Sequence, residues 1–442
     1  MRQIIFWCSC LFFIWNTINL NSVQAQTVDD LHNYYNRFAD KYLIKHSENK
    51  CYYSIDGRGI TTYASLSAKR GNRPECRIYW DEIEIFRNLL RHRNTEEQLK
   101  IFQRKGGRRF TKNERIQYGI HRAKLKGGQK YYGRKYKPLS GYKIALDPGH
   151  FAGDFETAKI EGKFIELAYV HKDTVRFYEA NLTLTTARLL KDKLTRAGAN
   201  VLITRPKAGV LVSGKTFKQW KQSDFPALFR KDIQEKRFTQ VRAQKLKKFD
   251  ARLHTLYLAS PELALRADII NAYDPDLTIA IHYNADPDIK AIDQPSSHNY
   301  NMTFVAGAFM RHEMDEPEER LHFLRILLMQ NFDKSVLASK YIIRQFEQKL
   351  KVNTIPKENH LGYLKNASIY VQHGVYARNL GLCRRLNSPL CFGETLVQNH
   401  RWESERLKVN RLDRPAKRVQ EVAEAYYQGI LQYFRELKRQ KK

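Results

Sequence analysis

The sequence predicts an α/β fold: a mixed, mostly parallel sheet flanked by helices, preceded by a smaller helical N-terminal region. Two features carry this prediction. Short apolar runs of strand length, at Ile144–Leu146, Val201–Thr204, Leu277–Ile281 and Leu390–Phe392, alternate with helical segments. Between the first two lies a clear amphipathic helix, Glu179–Ala197, with leucines at 182, 189, 190 and 194 and Gly198 to close it. Composition agrees, because 42% hydrophobic and 12% aromatic residues in 442 supply a real core and exclude a disordered chain.

Residues 1–25 read as a secretory signal peptide. Arg2 gives a positive start, Ile4–Trp15 is an apolar run too short to span a bilayer, and Val23-Gln24-Ala25 suits a cleavage site. An uncleaved anchor is the alternative. Removal of the signal peptide leaves no transmembrane span in the mature chain and places it outside the cytoplasm, secreted to the periplasm or cell envelope. Residues 26–99 form a small helical unit around Val28–His46 and Trp80–Leu90, with a Gly-, Ser- and Arg-rich middle. Residues 100–140 carry 14 Lys/Arg against one acid, Glu114, with interleaved tyrosines, and read as a basic linker. The main domain is expected over 141–442, with insertions at 207–260 and 286–330.

The net charge of +31 calls for an anionic partner: nucleic acid, an anionic membrane or an anionic envelope polymer. Export makes nucleic acid the unexpected one. Cys51, Cys76, Cys383 and Cys391 remain after signal removal, an even number that permits disulfides in an exported protein. The local pairs Cys51–Cys76 and Cys383–Cys391 are the simplest connectivity, and buried free thiols are the alternative.

The chemistry gathers where strands end. The run YKIALDPGH carries Ile144-Ala145-Leu146 into a turn at Asp147-Pro148-Gly149 and delivers His150. Leu277–Ile281 delivers His282, a helix opens at Glu179, and a third strand ends near Glu394. Strand ends of one sheet converge on one rim, where open α/β folds bind ligands. Two imidazoles and a carboxylate leave a position open on zinc, and a further carboxylate can act as general base.

These pieces resemble the zinc-dependent N-acetylmuramoyl-L-alanine amidase family, bacterial cell-wall hydrolases with a DPGH…E…TR…SIHxN…E pattern. Here the pattern appears as Asp147–His150, Glu179, Thr204-Arg205, Leu265–Asn271, Ala280–Ala285 and PLCFGETLVQN over Pro389–Asn399. The match covers about 141–437, interrupted by insertions. The resemblance implies an exopeptidase-like α/β fold, Zn2+ held by His150, Glu179 and His282, and Glu394 as the catalytic carboxylate. It implies peptidoglycan as partner and hydrolysis of the amide between N-acetylmuramic acid and L-alanine, in wall remodelling or daughter-cell separation. Two other readings stand beside it: a degenerate envelope-binding protein that uses its basic segment, and a zinc peptidase acting on stem peptides.

The chain departs from the pattern in places. Phe151-Ala152 replaces the usual Gly-Gly, and Leu396-Val397 replaces Gly/Ala-Phe after Glu394. The long gap to Glu179 contains Glu156, Glu161, Glu166 and His171, of which Glu166 is the strongest rival ligand. Arg266 is expected to support a helix–sheet contact rather than substrate. Residues 310–330 lie where some relatives carry a regulatory helix over the zinc. They are expected either as a solvated surface helix or as an autoinhibitory segment relieved by a protein activator.

Overall fold

A computed structural model describes residues 27–119, 137–169, 172–235, 249–286 and 295–440. The expected signal peptide, residues 120–136 of the basic segment and His171 lie outside the described residues. No helix among the described residues is long and apolar enough to cross a membrane.

The described residues open with the helix Val28–Phe38, started by a capping box in which Thr27 and Asp30 satisfy each other's backbone N–H groups. Strands β1 (Tyr53–Asp56), β2 (Gly59–Thr62) and β3 (Cys76–Tyr79) form an antiparallel meander. Helices Ile83–His92, Thr95–Lys105 and Lys112–Gly119 cover it and bury Phe86, Leu90, Phe102, Phe110 and Tyr118. Residues 100–119, expected within the linker, thus belong to this folded unit. The Lys105–Glu82 ion pair shows how: both side chains are fully buried at 2.9 Å, and Glu82 also accepts the Phe110 N–H.

The central sheet contains seven strands: β4 (Lys143–Pro148), β7 (Asn200–Ile203), β8 (Leu277–Asn284), β9 (Met302–Ala306), β10 (Ile369–Gln372), β11 (Val375–Arg378) and β12 (Leu390–Val397). Its order is β10-β11-β9-β12-β8-β4-β7, with a separate hairpin of β5 (Phe164–Tyr169) and β6 (Lys172–Tyr178). The pairs β12–β8, β8–β4, β4–β7 and β11–β9 are parallel, and β12–β9 and β10–β11 are antiparallel. The sheet is therefore mixed and mostly parallel, as the sequence predicts. Alternation sorts the side chains. Ile144, Leu146, Ile279, Ile281 and Tyr283 face the helices Glu179–Arg196, Phe332–Leu350 and Lys417–Gln440. Ala145, Ala280, Phe304 and Phe392 face the other layer, which includes Ala267 and Ile270 of the helix Ala259–Tyr273.

Two expectations need correction. The helix Pro317–Met329 is neither solvated nor laid over the strand ends. Every residue from Arg320 to Met329 is buried, and its Leu321, Phe323, Leu324 and Leu327 join the N-terminal core. Arg320 binds Glu75 bidentately at 2.5 and 2.8 Å, tying the helix to the strand meander. The four described cysteines, Cys51, Cys76, Cys383 and Cys391, are free thiols. Cys383 and Cys391 sit in apolar clusters on opposite faces of the sheet, and Cys76 is fully buried while Cys51 lies half-buried on a surface turn. Burial pushes the Cys391 thiol up to about 12, so it stays an inert core residue.

Candidate active site

Three parallel strands deliver the site. In β4 the Pro148-Gly149 turn ends the strand, and Gly149 N–H donates to the Ile281 carbonyl of β8 at 2.9 Å. A Cβ on Gly149 would stand 2.2 Å from the His282 ring, so only glycine lets the two segments approach this closely. His150 follows with φ +61°, a left-handed conformation that turns its side chain back toward β8. The turn is held from outside. Arg266 donates to the Pro148 and His150 carbonyls, each at 3.3 Å, and its guanidinium lies 3.6 Å from Asp147. Arg205 and Thr183 both donate to the Gly149 carbonyl. Arg266 thus braces the turn.

His282 lies on β8 directly opposite Glu394 of β12. Its ring stacks on Phe392, with centroids 4.4 Å apart and planes within 12°. Glu179 is the first residue of its helix and is buried. Its Oε1 lies 3.1 Å from His282 Nδ1 and accepts the Tyr283 N–H, and its Oε2 lies 3.3 Å from His150 Nε2 and accepts from Gln398. The rings of His150 and His282 stand nearly perpendicular, 5.0 Å between centroids. Donor atoms of His150, Glu179 and His282 all lie within 4.8 Å of one another.

The rival carboxylates separate cleanly. Glu166 is on β5, where it pairs with Arg176 at 3.3 Å, away from this group. Glu161, which the sequence offers only as a possible mistaken ligand, instead packs against His150. It ends the helix Phe155–Glu161, lies 3.6 Å from His150 Nδ1, and accepts the N–H groups of Phe151 and Ala152 at 2.8–3.1 Å. A carboxylate on the second nitrogen of a ligating imidazole fixes its tautomer and orientation. Spacing gave no sign of this role.

Close carboxylate–imidazole contacts set the electrostatics of the site. Burial alone would lower the His150 pKa, but Glu179 and Glu161 outweigh it and hold the imidazole at about 9. Burial keeps His282 below its ordinary value and therefore neutral, the form that binds metal. Glu179 resists its own burial through His150 and His282 and stays well below the usual carboxylate range. Burial and the Glu179 charge push Glu394 up to about 8. Glu394, His282, Glu179, Lys163, Tyr363 and Arg378 line a cleft of 240 Å³.

Fold and cleft together define a hydrolase-type centre on the rim of an α/β sheet. The chain belongs to the N-acetylmuramoyl-L-alanine amidase family, which it matches over residues 144–432. It is an enzyme of that amidase class. Among solved structures it is similar to the CwlD amidase of Clostridioides difficile, determined in complex with the GerS lipoprotein: 15% identity, 67% of this chain and 99% of that one covered, TM-score 0.36. It is also similar to the N-acetylmuramyl-L-alanine amidase Ami1 of Mycobacterium smegmatis, at 14% identity, the same coverage and a TM-score of 0.38. The catalytic domain of CwlV from Paenibacillus polymyxa gives 13%, 66% and 97% coverage, and 0.34. No curated protein matches.

Proposed function

We propose that this chain is a zinc-dependent amidase of the cell envelope that cleaves the bond between N-acetylmuramic acid and L-alanine in peptidoglycan. The observation that carries the reading is the convergence of His150, Glu179 and His282 beside Glu394. The donor set fits zinc: two imidazole nitrogens and one carboxylate whose donor atoms lie within 4.8 Å of one another, with His150 giving up its proton on binding the ion. His150, Glu179 and His282 would hold a zinc ion there, which would supply Lewis acidity toward water and the amide carbonyl.

The protein's own groups do the rest. Glu394 takes the proton of the attacking water and passes it to the leaving amine, a role that suits a carboxyl whose pKa lies near the working pH. Glu161 fixes the His150 ring, and Phe392 fixes His282 by stacking. Lys163 and Arg378 add positive charge to the cleft wall, which suits the carboxylates of murein stems. The basic chain as a whole favours the same polymer. Secretion to the periplasm or envelope, and a role in wall remodelling or cell separation, complete the reading. An activator acting on 310–330 would have to reach a helix built into the N-terminal core.

Digestion of purified murein tests the reaction. The expected products are intact stems with a free L-alanine amino terminus, and shortened stems would reject the amidase in favour of a peptidase. Glu394→Gln is expected to keep stoichiometric zinc and lose roughly 10²–10⁴-fold in turnover. Turnover equal to that of the unmodified chain would remove Glu394 from the base role.

A further inference from the structure

A second histidine–carboxylate group stands farther along the same rim, outside the cleft. β8 leaves the sheet at Asn284, and Asp286 follows two residues later, only 4% exposed. Its position is built. The Asp286 N–H donates to Asn399 Oδ1 at 2.9 Å, and the Asn399 amide returns to the Asp286 carbonyl at 3.4 Å. Ser296 Oγ donates to Asp286 Oδ2 at 2.6 Å, which aims the carboxylate. His298 Nδ1 lies 2.9 Å from that same oxygen, and His360 Nε2 lies 4.0 Å from the other. The two imidazoles stack, 4.1 Å between centroids and 30° between planes. Donor atoms of the three residues fall within 4.8 Å of one another.

Two imidazole nitrogens and one carboxylate make a borderline-soft donor set, suited to zinc and its neighbours rather than to magnesium or calcium. Both histidines open onto a groove of 1050 Å³, so an ion has a path from solvent and keeps positions free for water.

We propose that Asp286, His298 and His360 form a second site for a divalent transition-metal ion of the zinc class. Its donors come from three separate stretches of chain: the exit of β8, the approach to β9, and the loop before the helix Gly362–Ala367. The ion would cross-link these stretches. Asp286 is four residues beyond His282 on the same strand exit, at most about 14 Å along the chain. The clamp therefore stands next to the wall of the catalytic cleft, and it takes its ligands from none of the residues assigned to catalysis.

Metal stoichiometry tests this directly. The full chain is stripped with a chelator, re-equilibrated with excess zinc, desalted and analysed for metal. The expected result is two equivalents per chain, one in a His298→Ala/His360→Ala variant and one in a His282→Ala variant. In His282→Ala, added zinc should still raise Tm, and adding His298→Gln should abolish that rise. One equivalent in the unmodified chain, lost in His282→Ala, would overturn the proposal, as would two equivalents surviving in the double variant. Circular dichroism checks that each variant is folded, and the single His298→Gln, at a half-exposed position, serves if the double variant does not fold. The His282→Ala background reads the second site even if the catalytic group were to hold no zinc.

Discussion

The two histidine–carboxylate groups share a rim and a donor set, yet they are built in opposite ways. In the group beside Glu394 every donor sits on regular structure or on a turn braced by it. Glu179 opens an 18-residue helix, His282 lies within a strand, and His150 follows a turn tied down by Arg266, Arg205 and Thr183. In the second group only the carboxylate is buried, and His298 and His360 stand on connecting segments, 51% and 36% exposed. Geometry fixed to a fraction of an ångström is what catalysis needs, and sheets and helices supply it better than loops. A group with exposed imidazoles on connecting segments can bind an ion without meeting that demand.

The sharpest way to break the rigid group is to disturb its closest approach. Gly149→Ala places a methyl 2.2–2.5 Å from three atoms of the His282 ring, and the ring has Phe392 behind it. The expected outcome is loss of about 10²-fold or more in murein hydrolysis, with zinc affinity reduced in parallel. Titration of the variant with zinc should leave binding at Asp286, His298 and His360 unchanged, because the methyl touches none of them. Retained activity would show that the rim tolerates movement and that the contrast between the two groups is overstated. Glu161→Gln is a milder cut. It keeps the shape but removes the charge beside His150, and a roughly 10- to 100-fold loss in metal affinity or turnover is expected, measured by competition with a chelating dye.

The same contrast explains what could be read from the sequence. That His150, Glu179, His282 and Glu394 lie on or beside strand and helix ends was legible because apolar runs mark the strands and leucine spacing marks the helix after Glu179; the choice of these residues as a set came from the family resemblance. Glu161 was not legible, since three glutamates share its stretch and only the folded helix Phe155–Glu161 selects the one that reaches His150. The helix Pro317–Met329 misled for a different reason. Its buried polar side chains, Arg320, His322 and Arg325, bond to Glu75, Glu318, Gln98 and Asn387, and because they interrupt the apolar residues the helix shows no one-sided apolar stripe and reads as solvated. Asp286, His298 and His360 carry no shared spacing, and only tertiary structure brings them together.

The smallest expected effect concerns stability in the metal-free state and isolates the charge held by the rigid group. Glu394, at about 8 when folded, lies above the ordinary carboxylate value, so its protonated form favours the folded chain. That contribution is complete below about pH 4.5 and is lost as pH rises toward 8. His150, at about 9, adds in the same sense: its contribution is full below 6.5 and lost as pH rises through 9. Chelator-treated protein should therefore show a falling Tm between pH 6.5 and 9. Glu394→Gln cannot ionise, so its Tm should fall less steeply over this window and exceed that of the unmodified chain at pH 9, although the variant is inactive. Parallel Tm curves for the two proteins would mean that the Glu394 carboxyl is solvated rather than held among like charges. The general-base role would then have to rest on position alone.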